Sequence, residues 1–104
     1  MDISELKQLS DRSSRIALAK RNALEQARSM MLLAYAGHLF IANAELINLV
    51  YILKQTKNKF VVLDSNDNPM MVEKPEEFLD KLIEKNQEAL NTYNQLYQDS
   101  ITKG

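Results

Sequence analysis

Cysteine is absent from this chain, which excludes a disulfide framework, a thiolate metal site and a cysteine nucleophile. Glycine and proline occur twice each. A β-sandwich or barrel consumes far more turn residues, so this scarcity points to helix. There is one histidine, His38. No glycine-rich phosphate loop is present and no serine sits in a nucleophile motif. The N-terminus, MDISELKQLSDRS, is polar and lacks the basic-then-apolar order of a cleavable signal. These absences suit a cytoplasmic, non-enzymatic protein without a cofactor, and that is the expectation.

What is present begins with one stretch. Ser29 to Leu53 carries a single formal charge, Glu45, and from Met30 to Ile41 it is apolar on every side of a helical wheel. A helix of that kind needs cover from several directions or from lipid. Its length would suffice for a membrane span, but Gly37, His38, Asn43, Glu45 and Asn48 interrupt it. A central charge alone costs about 3 kcal/mol on insertion scales. A buried helix outside the membrane is the expectation.

The charge is small overall and uneven along the chain. Net charge is -1, yet residues 1–63 hold nine basic and five acidic side chains, and residues 64–104 hold four basic and nine acidic. All four arginines, Arg12, Arg15, Arg21 and Arg28, fall in the first third. Complementary pairing between the two halves, within or between chains, explains the split most simply.

The element reading is mainly α. Helix is expected over 2–56, with room for a kink near 10–14 where Ser10, Asp11, Ser13 and Ser14 offer cap-type side chains. Gly37 reads as a close-packing site between helices. Phe60 to Leu63 and Met70 to Val72 flank a cluster rich in Asp and Asn, and predict a β-hairpin over 60–73. Pro75, Glu76 and Glu77 open a last helix over 76–99, antiparallel to the end of the first. At about 1.5 Å per residue that helix covers Met30 to Leu53 and stops short of residues 3–27. One covering helix leaves apolar surface bare. The expectation is therefore a single helical domain, 1–104, assembled as an oligomeric helical bundle, a twofold dimer first.

Candidate sites follow from this arrangement. The expected interaction surface is Met30, Met31, Tyr35, Leu39, Ala42, Leu46, Leu49 and Leu53. Arg12, Arg15, Arg21 and Arg28, with Lys20 between, are the candidate anion contacts, and nucleic-acid or polyanion binding through this basic helix is one alternative function. The chain is slightly acidic and no aromatic interleaves with the arginines, which favours solvated faces. His38 and Glu45, two helical turns apart, form a second alternative as a small-molecule or metal site. A core histidine satisfied by hydrogen bonds is the plainer reading. Asp64-x-Asn66-x-Asn68 matches the opening of a calcium loop, but Pro69 and Pro75 occupy the glycine and bidentate-Glu positions. The run reads instead as a turn whose side chains cap backbone amides. The leading functional expectation is a non-enzymatic helical oligomer acting as an assembly, adaptor or structural interaction protein.

A long helix, a hairpin and a returning helix together resemble the layout of β-type prefoldin subunits, in which paired helices form a coiled-coil arm on a strand platform. The resemblance is one of element order over most of the chain, and it implies a helical arm.

Overall fold

The computed structural model describes residues 2–103; Met1 and Gly104, the ends of the expected 1–104 domain, lie outside them. Among the described residues the structure is 67% helical, with three helices and two small antiparallel hairpins. Helix α1 spans Ile3–Ser29, strand β1 Leu32–Tyr35 and strand β2 His38–Ile41. Helix α2 spans Ala44–Thr56, β3 Phe60–Leu63, β4 Pro69–Val72 and α3 Pro75–Lys103.

The Asp2 carboxylate starts α1 by accepting from the Glu5 backbone N–H at 2.9 Å, the usual N-cap bond. No break occurs at residues 10–14. The cap-type side chains there lie on exposed helix.

The helix expected over 2–56 is not continuous, and this is the main correction. It stops at Ser29, and residues 32–41 form a hairpin with Leu33 paired to Phe40 and Tyr35 to His38. Gly37 is a turn residue, not a helix-packing site: its φ is +81° and that of Ala36 is 50°. Two positive φ values in a two-residue connection match the twist of the strands they join. The physical reason is tertiary. As strands, this segment drives Phe40 into the core with its ring 4.9 Å from that of Phe78. Asn43 then caps α2, its Oδ1 accepting from the Leu46 N–H at 2.9 Å.

The hairpin expected over 60–73 is present. Phe60 opposes Val72 and Val62 opposes Met70 on its inner face. These four side chains join Phe40, Ala42, Val50, Phe78, Leu79 and Leu82 in one core. The first half of α3 forms the floor of this head, on which both hairpins and α2 pack. Buried Asn86 fastens it, its Nδ2 donating to the Ala42 carbonyl at 2.9 Å.

The second half of α3 runs back along α1. Ala23 and Ala27 of α1 and Ala89 of α3 are buried between them. The expectation that the last helix stops short of residues 3–27 is thus corrected. Folding residues 32–56 into a hairpin and a short helix shortens the path that α3 must cover, and frees its C-terminal turns for α1. The result is a head on a two-helix stem, 65 × 23 × 19 Å. The β1–β2 hairpin and α2 depart from the prefoldin-type layout.

Candidate functional site: an apolar platform and a two-sided stem

Strand alternation builds the platform. In each hairpin one face enters the core, so its alternate residues face outward. The outward pairs are Leu32 with Ile41, Ala34 with Leu39, Val61 with Met71, and Leu63 with Pro69. All eight residues are exposed. Ile41, Leu49 and Leu63 line one shallow cleft of ≈ 230 Å³, with Glu45 and Ser65 at its polar side. One apolar surface therefore runs from the first hairpin across α2 to the second.

A polar link holds the hairpins in register. The Ser65 N–H donates to the Leu39 carbonyl at 2.8 Å. The His38 imidazole donates from Nδ1 to Asp64 Oδ2 at 2.7 Å. The other oxygen of the buried Asp64 carboxylate, Oδ1, accepts from the N–H groups of Asn66 and Asn68 at 2.8 and 2.9 Å. The hydrogen bond from His38 holds the Asp64 carboxyl below the usual aspartate range, helped by the Asn68 and Asn66 amides and opposed by desolvation. Both carboxylate oxygens are thus engaged within the protein, which makes Asp64 a clamp. The loop caps backbone amides, as its Asp and Asn spacing predicts, while its partner His38 lies far away in sequence. Nearby, desolvation and the charge of Glu77 push the Tyr35 phenol up.

The residues singled out from sequence are divided by the fold. Ala42 is fully buried, and Met31, Tyr35, Leu46 and Leu53 pack against the core of their own chain. Met30 caps α1, and Leu39 and Leu49 lie open on the platform. His38 sits on β2 and Glu45 in the first turn of α2; the helical phase that would have paired them does not exist. Among the described residues no group of three or more histidine, aspartate or glutamate side chains could hold a metal ion, and no helix is long and apolar enough to cross a membrane.

The four arginines are exposed along α1. Arg12 and Arg15 line a groove of ≈ 520 Å³ between α1 and α3 with Asn22, Gln26, Asp99 and Ser100. Arg21 and Arg28 lie outside it. The platform residues Leu32, Ile41, Val61, Leu63 and Met71 were not singled out from sequence. Burial alternates along β3 and β4, but both strands are apolar at every position, so no alternation in the sequence marks the last three.

The chain matches no family model, no curated protein and no solved structure.

Proposed function

We propose that this chain is a non-enzymatic helical oligomer that acts as an assembly or adaptor protein through its contact surfaces. One observation carries the reading. The single chain exposes 7445 Å², whereas a folded monomer of 11.9 kDa exposes about 5,900 Å². The excess of about 1,500 Å² per chain is what an obligate homodimer interface buries per subunit, since such interfaces bury roughly 2,000–5,000 Å² in total. Its radius of gyration, 19.2 Å, compares with about 13 Å for a compact domain of this length.

The chemistry of the excess surface fits the same reading. Ile3, Leu6 and Leu9 on α1, Tyr51 and Ile52 on α2, and the platform leucines are all open. Apolar area on this scale marks association. Sedimentation equilibrium at micromolar concentration tests the proposal directly. A dimer or larger species is expected, and a lone monomer would remove the reading.

A further inference from the structure

The stem has two unlike sides, and helical phase shows how they arise. Ala23 and Ala27 on α1, and Leu82 and Ala89 on α3, are buried. Each next residue along an α-helix turns about 100° in one sense. In an antiparallel pair, that turn carries both helices' next residues to the same side. On one side lie Leu24, Ile83 and Leu90, and further along α3, in phase with them, Tyr97 and Ile101. Ile83, Leu90 and Ile101 are exposed. Leu6 on the N-terminal arm is in phase with Leu24, with Ala17, Ser13 and Ser10 between them. The preceding residues turn the other way: Asn22, Gln26 and Asp99, with Arg12 and Arg15, rim a groove that Ile16, Ala19, Ala23 and Leu96 also line. The stem therefore carries open apolar side chains on one flank, the dry flank, and a polar-rimmed groove on the other, the wet flank.

Charge selects what meets the dry flank. Helix α1 carries six basic and three acidic side chains, and α3 three basic and six acidic. Among the described residues no ion pair joins the two helices; the three pairs present lie in the head and at its junction with α3. Lys20 and Arg28 border the dry flank on α1. Between Ile83 and Ile101 the corresponding α3 positions, Gln87 and Asn94, are neutral. Setting α1 against a second α1 would oppose like charges, whereas setting it against a second α3 opposes +3 with −3.

We infer that two copies of this chain join their dry flanks in a four-helix bundle whose twofold axis runs parallel to the helices, each α1 lying antiparallel to the partner's α3. Charge then alternates around the bundle, and both N-terminal arms emerge at one end. The inference rests on the proposed oligomer and assigns its interface. It leaves the platform of the head outside that interface.

The absence of cysteine makes the test clean. A single Ser4→Cys substitution, on the exposed arm, takes a spin label in the full chain. Arms at one end of a bundle place the two helix axes within about 14 Å, the diagonal of helices packed 8–10 Å apart. The antiparallel α1-on-α1 arrangement separates them by on the order of 40 Å along the axis. A short distance is expected, and a long one overturns the inference. As a second arm, Leu90→Glu is expected to raise the dimer dissociation constant by on the order of tenfold or more, with circular dichroism unchanged. Gln26→Glu, on the wet flank, is expected to leave it unchanged. A dimer indifferent to Leu90→Glu but split by Leu49→Glu would place the contact on the head; the inference then falls and the proposed oligomer stands. A wild-type monomer removes both.

Discussion

Asp64 shows how one side chain can set the pH response of the head. Its folded pKa lies below its unfolded value, chiefly because the His38 Nδ1–H donates to it. Its contribution is therefore complete above the ordinary aspartate value near 4 and is lost as pH falls through the folded value. Asp64→Asn keeps the shape and removes the titration. Thermal melts from about pH 5 to about pH 3 should show wild type losing more of its Tm than the variant. Equal losses would mean that the clamp is not coupled to folding. Asn86 makes a different residue-scale case, because its hydrogen bond is buried. Asn86→Ala leaves the Ala42 carbonyl without a partner and opens a gap beside it. Denaturant unfolding should report a loss of about 1–3 kcal/mol. A loss within a few tenths would show that water replaces the amide at no cost.

Among the elements, the β1–β2 hairpin tests the competition between helix propensity and tertiary pairing. Its turn needs positive φ at Ala36 and Gly37, and alanine is a poor residue for that conformation. Ala36→Asn should stabilise the fold by up to about 1 kcal/mol, and Gly37→Ala should destabilise it by about 1 kcal/mol. An added Cβ at Gly37 meets nothing within 4 Å, so the second effect is backbone strain alone. Chemical denaturation of the two variants reads both signs. The same turn explains why this hairpin was illegible in the sequence. Leu32 to Tyr35 and His38 to Ile41 are apolar on both strand faces, so no period of two shows. An Ala-Gly pair inside a run of good helix formers reads as more helix. By contrast, β3 and β4 flank an Asp/Asn/Pro cluster, and α3 opens on Pro75 with Glu76 and Glu77 behind it. Those signals are local, and the structure follows them. The Asp64 loop was legible as a capping turn for the same reason. Its bond to His38 spans 26 positions and no local pattern could announce it. The platform depended on strand register, so it could not be read until the first hairpin was placed.

At the scale of the molecule, the decisive feature is a stem too thin to be dry by itself. Two helices bury one narrow strip between them, here largely alanine, and the first turns of α1 lie open: Ile3 is 85% exposed. Isolated helix of that length is marginal in water, so the first turns of α1 hold their form through association. This makes stability depend on concentration. For a two-chain native state, a tenfold rise in protein concentration favours the dimer by about 1.4 kcal/mol. Unfolding entropy is about 2.1 cal/mol/K per residue, summed over two chains of 104 residues. Tm should therefore rise by about 3 °C for each tenfold increase in concentration. Scanning calorimetry from roughly 5 to 500 μM, the range in which a micromolar dimer forms, should trace that slope over two decades. A monomer that folds alone gives no slope. If the head melted independently of the stem, the far-ultraviolet signal would instead resolve into two steps, with only the helical one moving with concentration. The slope thus measures whether the head and stem of both chains fold as one cooperative unit.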